Sequence, residues 1–173
     1  KPWTTPHPPA LLARAHTVLD RDAVHAARSL VPSLRLDRDS DSVDSLPTFE
    51  VRWISEGKYT HAGLEAALRR SVEERVVPVV RSILNDDKLQ LCEALLRAYS
   101  PGKRRAVPAH YDGDALATAV IELEADFEGD GFFLQTGAHV SSRIPVDLDV
   151  GDIVAHSFDL QHGVSVAAGE RVS

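Results

Sequence analysis

The chain has 173 residues, 43% hydrophobic and 26% charged, with a formal net charge of −7 from 19 basic and 26 acidic side chains. That length and balance suit one soluble globular domain able to bury roughly two-thirds of its unfolded surface, and they exclude wholesale disorder. The acidic balance excludes a sequence-independent grip on nucleic acid, which needs lysine and arginine to neutralise phosphates, and no run approaches the roughly twenty apolar residues required for a membrane span.

In chain order, Lys1-Pro2-Trp3-Thr4-Thr5-Pro6-His7-Pro8-Pro9 opens without an initiator methionine, and the chain contains no methionine at all. The true start is therefore read as cleaved or left out, together with any targeting peptide. Residues 1–15 are expected to form a proline-rich arm, a segment suited to lying across a protein partner. Residues 16–173 are expected to form one domain, with helical support over about 16–92 and a β-rich core over about 93–173. Asp20 is placed to cap a helix over Arg21–Leu30 that Pro32 ends, with Val24, Ala27 and Val31 on one side. Asp37-Arg38-Asp39-Ser40-Asp41-Ser42-Val43-Asp44 fails as a calcium loop, because the sixth and twelfth positions hold Ser42 and Thr48 rather than glycine and glutamate. It reads as a flexible acidic connector.

Leu64, Leu68, Val72, Val76 and Val79 or Val80 recur at helical spacing from about His61 to Leu84, and Pro78 should kink or divide that helix. Cys92 is the single cysteine, so no intrachain disulfide or cysteine-built zinc site can form, and a reducing compartment is expected rather than secretion. Its leucine neighbours suggest a buried small apolar residue. The basic cluster Lys103-Arg104-Arg105 could steer an acidic substrate or simply be solvated. From Tyr99 onward the pattern turns to short β runs: Leu116–Leu123, Phe132–Thr136, Val140–Val146, Ile153–Phe158 and Gly163–Val166, punctuated by glycines. Several short antiparallel strands in a sandwich or barrel follow from that spacing.

The chemistry concentrates in His110-Tyr111-Asp112 and a later histidine. An iron(II) ion that must bind two further molecules leaves three positions to the protein, and two imidazoles with one carboxylate keep the opposite side open. Residues i and i+2 of a strand share a face, so His110 and Asp112 should project together while Tyr111 turns away. The third ligand must come from a neighbouring strand, with His139, His156 and His162 as candidates.

Flanking segments narrow the choice. Leu95-Leu96-Arg97-Ala98-Tyr99-Ser100-Pro101-Gly102 leading into Pro108-Ala109-His110-Tyr111-Asp112, then Phe127-Glu128-Gly129-Asp130-Gly131-Phe132-Phe133-Leu134, Val150-Gly151-Asp152-Ile153-Val154, and His162-Gly163-Val164 through Gly169-Glu170-Arg171-Val172-Ser173 occur in that order. Together they resemble the iron- and 2-oxoglutarate-dependent dioxygenases, specifically the prolyl-hydroxylase-like branch. The resemblance implies an α+β fold, a double-stranded β-helix (jelly-roll) core braced by the N-terminal helices. It favours His162 as third ligand, with His110 and Asp112, for Fe(II). It also implies that Arg171 grips the distal carboxylate of the co-substrate 2-oxoglutarate, Ser173 and Tyr99 adding hydrogen bonds, with ascorbate as a reductant. A solvated Arg171 and a Tyr99 that merely fills the core are the plainer alternatives. In that branch the last strand continues past the position of Ser173, so the C-terminal end is read as trimmed.

The activity so implied is hydroxylation of an unactivated C–H bond of a prolyl or other peptide residue, or of an amino-acid-like small molecule. A catalytically silent oxygenase-fold subunit of a larger assembly is the alternative reading, and a cupin-like metal or sugar binder a third.

Overall fold

The computed structural model describes residues 12–173; most of the expected proline-rich arm, residues 1–11, lies outside the described residues. The elements in chain order are β1 (Leu12–Ala15), α1 (Arg21–Leu30), β2 (Glu50–Ser55), β3 (Lys58–Tyr59), α2 (Ala62–Ser71), α3 (Val77–Leu84), β4 (Ala94–Tyr99), β5 (Ala106–His110), β6 (Ala117–Ile121), β7 (Glu124–Glu128), β8 (Gly131–Gln135), β9 (Arg143–Pro145), β10 (Ile153–Ser157), β11 (His162–Ser165) and β12 (Ala168–Val172). The strands form three antiparallel sheets in the orders β1-β10-β6, β5-β11-β8-β9 and β3-β2-β4-β12-β7. The first and third meet at Glu122–Leu123, where the Glu122 amide donates to Asp152 O and the Leu123 amide to Val172 O. One long curved sheet thus faces the four-stranded one, in the jelly-roll arrangement that the sequence resemblance implied, open at its edges rather than closed as a barrel.

Side-chain parity divides the long sheet into two faces. Ile54, Leu96, Ala98, Leu123, Ile153 and Val172 pack with Leu64 and Leu68 of α2 and with Val24 and Ala27 of α1 in one cluster. Tyr99, Val120 and Val154, each one residue out of step with a member of that cluster, turn inward to meet Phe132, Leu134, Val107 and Val164. The site lies in this second layer, between the sheets.

The helices obey their local signals. The Asp20 side chain accepts from the Ala23 amide at 2.9 Å, which starts α1. His61 caps α2 through Nδ1, accepting from the Leu64 amide at 3.2 Å. The single long helix expected to Leu84 is divided as anticipated, but by a π-helical stretch at Val72–Val76 that precedes Pro78. Pro78 then falls in the first turn of α3, the part of a helix where proline is best tolerated.

Four local expectations are corrected. The acidic stretch 37–44 is ordered: Asp41 is buried, and Asp44 takes both of its carboxylate oxygens to Arg104 Nη2 at 3.0 Å. That pairing removes Arg104 from the solvated basic cluster, since its guanidinium is buried and also donates to Ala106 O and Leu46 O. Cys92 is exposed, because it lies in the loop before β4 and the buried leucine is Leu96, inside the strand. Val140–Val146 is a strand only over β9; Ser142 donates its hydroxyl to Gly137 O and His139 O, and the turn at Val140–Ser142 replaces extended backbone.

Gly169 turns the chain into β12 with φ +78, and a Cβ there would stand 2.1 Å from Asp126 O and 2.7 Å from Phe127 Cα. Both obstacles are backbone. Gly169→Ala is expected to cost about 2 kcal/mol or more, from a left-handed conformation and a displaced β7, read as a lowered urea midpoint.

Candidate metal centre

His110 ends β5 and His162 begins β11, and the two are directly opposite in the antiparallel register. Opposed residues point to the same face, so the imidazoles meet, with ring centroids 4.5 Å apart. Asp112 lies two residues past the end of β5, not inside the strand as its spacing suggested. Its carboxylate nevertheless turns back, Oδ1 lying 3.4 Å from His110 Nε2 and Oδ2 3.6 Å from His162 Nε2. The hydroxyl of Thr118, on β6, donates to Asp112 Oδ2 at 2.5 Å and holds that orientation. Tyr111 points to solvent, 59% exposed. The ligand atoms of His110, Asp112 and His162 all lie within 4.8 Å of one another. A first-row ion about 2.1 Å from each needs them about 3 to 3.5 Å apart, a small inward adjustment.

The hydrogen bonds set the tautomers. His110 Nδ1 lies 2.9 Å from Pro108 O and His162 Nδ1 3.1 Å from Leu160 O. A carbonyl can only accept, so each Nδ1 carries a proton, and with a metal bound each Nε2 would offer its lone pair inward. Burial, aided by the neighbouring His156, pushes His162 down to about 4 and keeps it neutral. Burial opposes ionisation of Asp112, but hydrogen bonds from His110 and Thr118 outweigh it and hold the carboxyl well below its ordinary range. At His110 burial works against the imidazolium, and the bond to Asp112 prevails and raises it. A carboxylate and two imidazoles are the donor set of an open iron(II) site.

His139 is exposed at a turn, away from this cluster. His156, on β10, is fully buried; its ring centroid stands 4.2 Å from that of His162, and both rings stack on Phe132. Its Nδ1 meets Ser157 O at 3.1 Å while Nε2 has no hydrogen-bond partner. It is therefore a packed core residue, as strand position suggests, yet it sits against the candidate ligand His162 with an orphaned nitrogen. His156→Ala is expected to weaken Mn(II) binding less than tenfold while lowering stability by about 2 kcal/mol or more through the cavity it leaves; calorimetric metal titration and urea unfolding check the two.

Arg171 is fully buried on β12, beside Tyr99 on β4 in register, with its Cζ 5.6 Å from the Tyr99 ring. Nη1 donates to Ser173 Oγ at 3.0 Å and Nε to Glu122 Oε2 at 3.0 Å, the latter oxygen also 2.9 Å from Nη2. The solvated alternative for Arg171 is overturned. Thr118, Val120 and Glu122 alternate along one strand line, so they share its inward face. Asp112 is held at the Thr118 end and Arg171 at the Glu122 end, about 13 Å of strand apart. Glu122 and Thr118 escaped sequence reading, although the parity of Val120-Ile121-Glu122-Leu123 carried a signal: Ile121 and Leu123 belong to the helix side, which turns Glu122 inward.

No protein-family model and no curated protein matches the chain. Solved structures do. An oxidoreductase of the 2OG-Fe(II) oxygenase family from Burkholderia pseudomallei aligns over 93% of this chain and 81% of its own, with TM-score 0.70 and 16% identity. A prolyl-4-hydroxylase from Pseudomonas putida aligns over 95% of this chain and 90% of its own, with TM-score 0.65 and 19% identity. The non-heme alpha-ketoglutarate-dependent epimerase SnoN from nogalamycin biosynthesis aligns over 94% and 75%, with TM-score 0.67 and 17% identity. The fold is the one these 2-oxoglutarate/Fe(II) oxygenases share, with prolyl hydroxylases among them.

Proposed function

We propose that the chain is an Fe(II)- and 2-oxoglutarate-dependent oxygenase in which His110, Asp112 and His162 hold the metal. The observation that supports it is the convergence of those three side chains at one end of a buried strand line whose other end carries Arg171. One buried polar atom on that line suits a carboxylate: Arg171 Nη2, a donor without an aligned hydrogen-bond partner at the far end. Arg171 would take the distal carboxylate through its planar fork, Ser173 would brace the guanidinium, and Tyr99 would wall the carboxylate end. Thr118 keeps Asp112 aimed at the metal, and the carbonyls of Pro108 and Leu160 keep both imidazoles in the ligating tautomer. When bound, iron and 2-oxoglutarate would supply oxidative decarboxylation to succinate and carbon dioxide, and the oxidising power that breaks a C–H bond.

Hydroxylation of a prolyl or other peptide residue, or of an amino-acid-like small molecule, is the outcome we assign. Its support is the prolyl-hydroxylase-like sequence pattern; the likeness to SnoN gives the same fold to an epimerase. Incubation of the protein with Fe(II), ascorbate and 2-oxoglutarate tests the oxygenase reading through succinate release above an iron-free control. Metal binding without succinate would leave the accessory-subunit reading standing.

A further inference from the structure

The Arg171 guanidinium already holds a carboxylate, and it belongs to the protein. Glu122 is 2% exposed, Arg171 is fully buried, and Glu122 Oε2 lies within 3.0 Å of both Nε and Nη2. Yet the pair is incomplete. Glu122 Oε1 and Arg171 Nη2 are buried without an aligned hydrogen-bond partner, a costly state unless another group completes it. A second carboxylate arriving at Nη2 would satisfy it. It would also stand beside Glu122, and two adjacent carboxylates in a dry site cannot both remain ionised.

We infer that Glu122 is a proton-coupled gate on the co-substrate pocket: the distal carboxylate of a 2-oxo diacid binds Arg171 only as Glu122 takes up one proton at Oε1. This rests on the co-substrate reading proposed above. The proton comes from solvent, and the neutral acid then donates from Oε1 to the incoming carboxylate, which accepts from Nη2 as well. Both orphaned atoms gain partners in one step, and the site carries one anionic charge against Arg171 before and after.

The surroundings favour titration of Glu122 rather than a neighbour. Burial pushes its carboxyl up to about 7 against the opposing pull of Arg171. Tyr99 presents its ring to Arg171 from β4. Before β10, the Asp152 carboxylate is committed to Arg14, His16 and the Thr17 amide. On β7, Glu124 pairs with Arg28. Among the described residues, Arg171 is the charged group that acts on Glu122.

The test is calorimetric titration of Mn(II)-saturated protein with 2-oxoglutarate at pH 6 and pH 8, each in two buffers of different ionisation enthalpy. Affinity is expected to be about tenfold weaker at pH 8, where close to one proton is taken up per ligand bound, as linkage to a group titrating near 7 requires. Glu122→Gln should abolish both the proton uptake and the pH dependence. Independently of how that variant folds, wild-type protein is titrated with 2-oxobutanoate, which lacks the distal carboxylate and should bind without proton uptake. Equal affinity for 2-oxoglutarate at both pH values without proton uptake would overturn the gate alone. Retained pH dependence in folded Glu122→Gln would overturn it too. No 2-oxoglutarate binding at either pH would overturn the co-substrate reading itself, and the gate with it.

Discussion

Asp112→Ala is expected to reduce Mn(II) or Fe(II) affinity by more than about a hundredfold, and His110→Ala and His162→Ala to do the same. Second-layer partners alone are commonly worth ten- to a hundredfold, and each of these residues offers a ligand atom directly to the cluster. Asp112 is the most instructive of the three, because it supplies the single negative charge and bridges the two imidazoles. Thr118→Val, which keeps the shape and removes only the hydroxyl bonded to Asp112 Oδ2, should fall in the ten- to hundredfold range. Metal titration followed by calorimetry or manganese resonance gives the affinities, and circular dichroism shows whether the fold survives. His110 and Asp112 are partly exposed at the end of β5, so their loss leaves no large cavity and the variants should remain folded. Unchanged affinity in His162→Ala together with loss in His156→Ala would reverse the ligand assignment.

Arg171→Ala should be the most damaging single change to the fold. It leaves Glu122 as a buried carboxylate without its counter-charge, a loss of about 3–5 kcal/mol, and removes the fork that would hold the co-substrate. The size of the loss should depend on pH, with a definite sign. Burial raises the folded-state pKa of Glu122 to about 7 from an ordinary 4.5, so the native protein binds a proton that the unfolded chain has released between those values. Stability from this group is therefore fully present below about 4.5 and lost as pH rises through about 7. Removing Arg171 takes away the interaction that favours the ionised form, so Glu122 titrates still higher, and the variant should lose most relative to wild type at pH 8. Urea unfolding at pH 5 and pH 8 measures this, and Arg171→Ala/Glu122→Ala should recover part of the loss at pH 8 by removing the stranded charge. Arg171→Lys should restore stability more fully than 2-oxoglutarate affinity, since a point charge can neutralise Glu122 but cannot reproduce the fork.

Much of this molecule was legible from local chemistry. Asp20 at a helix start, Pro78 inside a helical repeat and glycines between short β runs act over a few residues, so the α1 boundaries, the division of the long helix and strands near Phe132, Ile153 and Gly163 followed without any knowledge of contacts. The candidate ligand types were readable for the same reason: few side chains suit an open iron site, and they carry their identity in the sequence. Strands β2 and β7 were not. Val51, Trp53 and Ile54 are all buried, so β2 lacks the alternation that marks a strand with one wet face. Asp112 shows the limit of periodicity, since it leaves the strand and is turned back by Thr118, a bond between residues on different elements.

What tertiary structure alone decided is the pairing of charges. Asp44 with Arg104 and Glu122 with Arg171 lie 60 and 49 residues apart in sequence, and nothing local to any of the four says which partner its charge will meet. A buried ion must find a partner, but which partner depends on where the sheets meet. The junction of the two sheets at Glu122–Leu123 turns Glu122 inward onto Arg171. The sequence alone determined which groups could bind a metal and a carboxylate; the fold decided that Arg171, the arginine proposed for the co-substrate, already has a carboxylate of its own, because only the packed sheets bring Glu122 within hydrogen-bonding distance of it and out of water.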